Sequence, residues 1–106
     1  MAKLFNLARM TTDTTGAGPV TLEAAQPSFL TFVQAGVQDG DTVTYAIEDG
    51  NAREIGRGVY SSAGPTLTRG VLRSTNGNNP IVLTGKAQVA ITAAAEDFGT
   101  LDDGEY

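Results

Sequence analysis

Apolar and polar side chains alternate in short runs along most of the chain, and turn-forming residues separate the runs. The clearest run is Thr42 to Glu48, in which Val43, Tyr45 and Ile47 occupy every second position. Because successive side chains of a strand point to opposite faces, this alternation predicts a strand with one face in the core. The turn residues Asp49-Gly50-Asn51 follow it and predict a hairpin.

Several other alternating runs predict further short strands. The following strands are expected: an opening strand or arm within Lys3 to Thr14, Val20 to Leu22, Arg53 to Ser61, Thr66 to Ser74, Ile81 to Leu83, and Ala87 to Ala94. The runs Arg53 to Ser61 and Thr66 to Ser74 should pair as neighbours. Gly56 and Gly58 within a strand indicate a bulge or a close backbone approach, with Tyr60 covering the space that they leave.

One short helix is predicted before Gly36, which can terminate a helix in the left-handed conformation. Ser28 is a suitable N-cap, and Phe29, Phe32 and Val33 recur near helical spacing. We expect these three side chains to face inward, so that the helix closes the open end of a sandwich or barrel.

The composition agrees with this pattern. The chain has 106 residues, 13 Gly and 4 Pro, which suits one core and many turns. We therefore predict a mainly β fold: a small antiparallel β-sandwich or barrel with about seven short strands and one short helix. Residues 1–18 should form an N-terminal arm and first strand, residues 19–95 a β-rich core domain, and residues 96–106 an acidic C-terminal tail.

Charge and residue content exclude several kinds of chemistry. The formal net charge of −5 argues against a nucleic-acid partner, because affinity for phosphates comes mainly from Lys and Arg. The absence of Cys and His excludes disulfides and thiolate or imidazole ligands. The segment Met1 to Met10 is too short and polar for a signal peptide, and no apolar run approaches the roughly 20 residues of a membrane span, so we expect no membrane partner.

Carboxylates at the turns are the candidates for metal or acid–base chemistry. Asp39-Gly40-Asp41 and Glu48-Asp49-Gly50-Asn51 carry the oxygen ligands that calcium prefers, but the spacing does not satisfy an EF-hand loop. Asp and Asn also cap turns, which is the favoured interpretation. Since every Asp and Glu lies beside a turn or in the tail, and no His can activate Ser or Thr, we predict no enzyme, no catalytic residue, no metal site and no cofactor.

Four of the seven basic residues lie on two strands that should be adjacent, and they predict a basic patch: Arg53, Arg57, Arg69 and Arg73. This patch is either a solvated strand face that limits edge-to-edge aggregation or a contact surface for carboxylates of another subunit. Arginine suits the second role because its planar fork pairs bidentately with carboxylates.

The two ends of the chain carry apolar side chains that the predicted core does not bury. We expect at least one end to dock on a neighbouring subunit, with the acidic tail meeting Arg57 or Arg69 of an adjacent copy, although a loose solvated tail is the alternative. The end residues expected to bind a partner are Leu4, Phe5, Phe98 and Tyr106.

Five segments between Asp41 and Asp97 carry a further pattern: Val43 to Gly50, Glu54 to Tyr60, Leu67 to Leu72, Ser74 to Asn78, and Ala87 to Ala95. Together they resemble a module of small virion structural proteins of tailed phages and gene-transfer-agent-like particles, which also occurs at the start of phage fibre proteins. These segments consist of strand faces and turns, so the resemblance implies a building block and no active site.

The resemblance implies a non-enzymatic phage virion structural protein, made in the host cytoplasm. The expected role is a capsid-surface decoration, cement or head-fibre-base protein, which binds the major capsid protein or other virion subunits as a homo-oligomer and stabilises the head. No collagen-like, coiled-coil or repetitive shaft follows the module before Tyr106, so we expect an accessory protein rather than a fibre. Two alternatives remain: a tail or tail-fibre attachment component, and a carbohydrate- or receptor-binding module in which exposed tyrosines stack on sugars.

Overall fold

The structure, a computed structural model, describes residues 5–94 and consists mostly of short antiparallel strands. The strands of this part are β1 (Arg9–Thr12), β2 (Thr15–Gly16), β3 (Val20–Thr21), β4 (Thr42–Asp49), β5 (Ala52–Ser61), β6 (Thr66–Leu67), β7 (Gly70–Ser74), β8 (Leu83–Thr84) and β9 (Ala87–Ile91), and its helix is α1 (Phe32–Ala35). The predicted mainly β, antiparallel class is confirmed, with nine short strands in the described residues where about seven were predicted. No helix within residues 5–94 is long and apolar enough to cross a membrane.

One sheet contains seven of the strands, in the order β1-β9-β4-β5-β6-β3, with β7 also paired to β5. Strands β2 and β8 form a separate two-stranded pair. The long strands β4 and β5 are the centre of the large sheet, which curls into a half-barrel around the core. The core inside the curl contains the largest buried side chains, among them Tyr45, Tyr60, Phe32, Ile47 and Leu67.

The predicted hairpin is present at β4 and β5. The two strands pair from Thr42 opposite Val59 to Asp49 opposite Ala52, and Gly50 adopts a φ of 61° in the turn. The three alternating apolar residues of β4 are fully buried on the inner face, as the sequence predicted. This hairpin fixes which side chains of β5 point inward and which point outward.

The helix is shorter than predicted and starts later. Ser28 has a φ of 72° and is not the N-cap. Thr31 caps the helix instead: its side chain accepts a hydrogen bond from the Gln34 backbone N–H at 3.0 Å, and the Gln34 side chain accepts one from the Thr31 N–H at 2.9 Å. This reciprocal capping box satisfies two N–H groups at the start of the helix.

The later start changes which residues of this segment are buried. Phe32 is buried, and its ring lies 6.0 Å from that of Tyr60, as expected for an inward residue. Phe29 and Val33, also predicted to face inward, are 40% and 60% exposed. Phe29 precedes the helix, and a four-residue helix presents only one narrow face to the core, so the other two side chains remain at the surface.

The predicted strand Thr66 to Ser74 is divided into β6 and β7 by Thr68 and Arg69. Both pieces pair with β5, so the predicted neighbourhood is confirmed. The β5–β7 register shifts between Ile55 and Gly56, which marks a bulge. The close approach predicted at Gly56 is also present, because a Cβ there would lie 2.6 Å from the Tyr45 hydroxyl oxygen. Tyr45, rather than Tyr60, fills this space.

The first strand belongs to the sheet. β1 pairs with β9, and its other edge is covered by the segment around Ala25, where the Thr11 N–H donates to the Ala24 carbonyl at 2.8 Å. From residue 5 onward, the opening segment therefore lies against the core and does not extend away from it as an arm.

Candidate interaction surface

The convex side of the curled sheet carries arginine and apolar side chains side by side. On β5, Arg53, Ile55, Arg57 and Val59 alternate with the inward-facing residues and are exposed or half-buried. The pairing of β4, β7 and β9 places further residues on this side. We define the outer face by these residues: Thr44, Ala46, Glu48, Arg53, Ile55, Arg57, Val59, Arg73, Gln88 and Ala90.

A groove of about 300 Å³ crosses the outer face over β4, β5 and β7. Ala46 and Ile55 contribute apolar lining, and Glu48, Arg53 and Arg73 contribute charged lining. Apolar side chains open to solvent beside cationic groups suit a partner that presents both an apolar side chain and a carboxylate.

A second groove of about 290 Å³ adjoins the first, since both include Ala46 and Glu48. Its apolar lining includes Leu7, which is 61% exposed, and Phe29. Arg9 lines the second groove, with its guanidinium 3.3 Å from a carboxylate oxygen of the shared residue Glu48 and 5.8 Å from the centre of the Phe29 ring. The two grooves thus form one continuous surface that ends at two exposed apolar side chains.

Three of the four arginines that were predicted to form the basic patch lie on the outer face. Arg53 donates from Nη1 to the carbonyls of Gly50 at 2.6 Å and Ala52 at 3.0 Å. Arg73 is exposed, and no ion pair to it is found within residues 5–94. Arg57 lies two residues beyond Ile55 on β5, opposite Thr44, whereas Arg73 on β7 lies opposite Ile55 itself. The structure therefore places these three arginines on one face of the sheet.

Arg69 is not part of the patch. Its side chain is 2% exposed and pairs with the fully buried Glu54, with 2.6 Å between Arg69 Nη2 and Glu54 Oε1 and 3.0 Å between Arg69 Nε and Glu54 Oε2. The same guanidinium donates to the carbonyls of Gly18 at 3.0 Å and Ile81 at 2.7 Å. It therefore joins β5 to two loops inside the curl.

Glu54 is the carboxylate that the sequence analysis misplaced, since it lies in the core rather than beside a turn. Besides Arg69, it accepts hydrogen bonds from the Tyr45 hydroxyl at 2.7 Å and from the Ile81 backbone N–H at 2.9 Å. Among residues 5–94, no buried side-chain nitrogen or oxygen lacks a hydrogen-bond partner. The buried network of Glu54, Arg69 and Tyr45 is therefore satisfied within the fold.

The electrostatics of the buried network keep it charged. Burial alone raises the pKa of the Glu54 carboxyl, but hydrogen bonds from Arg69, Tyr45 and the Ile81 N–H outweigh burial and hold that pKa below its ordinary value. Burial, reinforced by the hydrogen bond to Glu54, raises the pKa of Tyr45 far above its ordinary value. Glu54 is thus an anion and Tyr45 a neutral donor at neutral pH.

The turn carboxylates accept backbone hydrogen bonds, one of them local and two of them from distant parts of the chain. Asp39 accepts from the Ser62 backbone N–H at 2.8 Å, and Asp41 accepts from the Gln38 N–H at 2.9 Å. Asp49 accepts from both the Thr84 N–H at 2.7 Å and the Thr84 hydroxyl at 2.8 Å. Asp41 therefore caps its own turn, the role that was favoured over a cation site, whereas Asp39 and Asp49 join their turns to segments 23 and 35 residues away in the sequence. In the described part of the chain, no group of three or more acidic side chains lies in an arrangement that suits a metal ion.

Of the four end residues that were predicted to bind a partner, the structure describes Phe5. Phe5 is half-buried and packs against the core of its own chain, near Gly36, which accounts for its burial without a partner. Leu4, Phe98 and Tyr106 lie outside the described residues.

Sequence reasoning missed the apolar part of this surface. Ile55 and Val59 point to the same side of β5 as Arg53 and Arg57. The inward positions between Ile55 and Val59 are occupied by Gly56 and Gly58. This alternation was a usable signal, because glycines on the inner face of a strand leave the apolar residues for the outer face.

The fold and this surface define a small β protein with a filled interior and an arginine-bearing, partly apolar outer face. Comparisons with protein-family models, curated proteins and solved structures found no match.

Proposed function

We propose that this chain is a non-enzymatic structural protein of a phage virion, a decoration or cement protein that binds capsid subunits through its outer face. The observation that carries the binding role is the outer face itself, where Ile55 and Ala46 are open to solvent in a groove that Arg53 and Arg73 also line. The assignment to a phage particle comes from the resemblance of the segments between Asp41 and Asp97.

The chemistry of the surface supports protein binding. An apolar side chain of a partner would gain by burial against Ile55 and Ala46, at about 25 cal/mol for each Å² removed from water. Carboxylates of the partner would pair with Arg53 and Arg73, and such pairs at the rim of an interface favour rapid association and specificity. A surface of this kind suits attachment to subunits of an assembled shell.

The interior supports a structural rather than a catalytic role. Glu54 and Arg69 are the paired charges that could otherwise serve acid–base chemistry, and their hydrogen bonds are taken up by the buried network. Tyr45 and Tyr60 are buried, so neither can stack on a sugar as a carbohydrate-binding module would require. Phe29 is the large exposed aromatic side chain of the described residues.

The proposal is tested with purified particles from which the protein has been stripped. We expect stripped heads to release their DNA at lower temperature, and added wild-type protein to restore their stability. The variants Arg73→Glu and Ile55→Thr alter the outer face. The fold should tolerate both, because Arg73 is exposed and Thr forms strands well, and we expect both variants to bind the heads at least tenfold more weakly. Lys86→Glu and Val82→Thr are matched controls, because both residues are exposed and neither belongs to the outer face.

Two results would contradict the proposal. If stripped heads are as robust as intact heads, the cementing role is wrong. If Arg73→Glu and Ile55→Thr saturate the heads as the wild type does, the outer face is not the binding surface. Binding of labelled protein to tails instead of heads would replace this role with that of a tail component.

A further inference from the structure

The net charge of the chain resides in its C-terminal segment. Residues 95–106 contain Glu96, Asp97, Asp102, Asp103 and Glu105 and no basic residue, and three of their other side chains are Phe98, Leu101 and Tyr106. Residues 1–94 carry seven acidic and seven basic side chains, so the five carboxylates of the segment account for the whole formal charge of −5. The segment combines anionic and apolar groups, which is the chemistry that the outer face suits.

The described chain ends beside the outer face. After β9, the Thr92 N–H donates to the Thr44 carbonyl at 2.9 Å, and Ala94 is 4% exposed, so the chain is still in contact with the protein at its last described residue. Thr44 is the cross-strand partner of Arg57 and is itself fully buried, although it belongs to the outer face. Residues 95–106 therefore begin next to the strand pair that carries the arginines.

The segment is long enough to cover the face. Twelve residues extend to at most about 40 Å, whereas β4 and β7 are separated by two strand spacings, or roughly 10 Å. A tethered segment also has an effective concentration in the mM range, so even a weak interaction with its own chain is favoured over the same interaction with a dilute second copy.

We propose that, in the free protein, residues 95–106 bind to the outer face of their own chain. The carboxylates of the segment pair with Arg53, Arg57 and Arg73, and its apolar side chains contact Ile55 and Ala46 in the first groove. In this arrangement the outer face carries three arginines and one carboxylate, Glu48, which is already paired to Arg9. The proposal concerns the isolated chain and does not depend on a role in a virion.

The full-length chain can report on this contact directly. Because the sequence has no Cys, the substitution Tyr106→Cys introduces a single attachment point for a paramagnetic spin label. Amide resonances of a ¹⁵N-enriched, labelled sample are then compared with and without reduction of the label. We expect selective broadening of the amides of Ala46, Ile55 and Arg73, and little broadening at Gly18 and Val82.

The choice of reporters follows from the fold. Gly18 accepts a hydrogen bond from Arg69 inside the curl, and Val82 follows Ile81, which contacts the same network. Both backbone segments therefore adjoin the buried network of Glu54 and Arg69, and neither residue belongs to the outer face, although the Val82 side chain is exposed. Uniform broadening of Ala46, Ile55, Gly18 and Val82 would mean that the segment has no preferred site, and this would overturn the proposal.

Charge variants test the chemistry of the contact. In the labelled protein, Arg73→Glu should remove at least half of the broadening, whereas the matched charge reversal Lys86→Glu should leave it unchanged. Raising the salt to about 1 M, where the Debye length falls to about 3 Å, should weaken the broadening in the same way. Equal responses to the two charge reversals would refute pairing with the outer face.

A mixing experiment separates the chain's own segment from that of a second copy. Spin-labelled protein without ¹⁵N is added to an equal amount of unlabelled, ¹⁵N-enriched protein. The proposal requires no broadening in the mixture, and broadening of the outer face there would assign the contact to a second copy instead. Since no particle is involved, failure of this inference is distinct from failure of the proposed role on the capsid.

Discussion

Replacing Arg69 with Met should destabilise the protein strongly, because it leaves the Glu54 carboxylate buried without its cation. Removal of one partner of a buried ion pair costs about 3–5 kcal/mol. Arg69 also donates to the carbonyls of Gly18 and Ile81, whose hydrogen bonds would be lost at the same time. Since a domain of this size is stable by only about 5–15 kcal/mol, the variant should lose a large part of its unfolding free energy.

The assay is urea denaturation at neutral pH, followed by far-ultraviolet circular dichroism. With an m-value of about 1–3 kcal/mol/M, the midpoint for Arg69→Met should fall by at least about 1 M. Arg73→Met is the matched control, because Arg73 is exposed on the next strand, and it should change the unfolding free energy by no more than about 0.5 kcal/mol. If the two variants differ by less than about 1 kcal/mol, the buried network does not stabilise the fold as argued.

The pH dependence gives an independent readout of the buried network. The pKa of Glu54 is lowered in the folded state, so its contribution to stability is fully present above the unfolded value of about 4.3 and is lost as the pH falls toward the folded pKa. In Arg69→Met the carboxylate lacks its cation, so its pKa should rise and mild acid should protonate it in the fold. The variant should therefore lose less stability than the wild type between pH 7 and pH 4, and parallel curves would contradict this reasoning.

Three further substitutions have expected outcomes in the same denaturation assay. Gly56→Ala places a Cβ 2.6 Å from a buried hydroxyl and should lower the unfolding free energy by about 1–3 kcal/mol. Gly18→Ala, with open space around it, should be nearly neutral. Equal losses in the two variants would count against the close approach. Thr31→Ala removes the helix cap and should cost about 1 kcal/mol, and Val33→Ala is the exposed control. Asp49→Ala leaves the Thr84 N–H without its acceptor and should lower the unfolding free energy by about 1–3 kcal/mol. Asp49→Asn should retain part of this stability. An Asn variant as unstable as the Ala variant would argue against the hydrogen bond from Thr84 to Asp49 as the cause.

The elements that the sequence predicted well are those whose information is local. In the hairpin of β4 and β5, the strand alternation and the Gly50 turn act within a few residues, so the register followed from the pattern. The helix was less predictable, because Ser28 and Thr31 are both suitable caps and only the packing of Phe32 beneath the sheet selects the second. On β5 the alternation separates Ile55 and Val59 from Gly56 and Gly58, but the pairing of the whole sheet decides which of these two sets faces inward.

The two arginines of the predicted strand Thr66 to Ser74 show why the position of a side chain cannot always be predicted from the sequence pattern. Simple alternation places Leu67, Arg69, Val71 and Arg73 on one face, so the sequence cannot separate a buried arginine from an exposed one. In the fold, Val71 pairs with the inward Gly56, but the register shift at that point places Arg73 opposite Ile55, on the outer face. One extra residue in a bulge reverses the side on which the following side chains lie. Arg69, before the bulge, consequently stabilises the interior, and Arg73, after it, becomes available to a carboxylate outside the core.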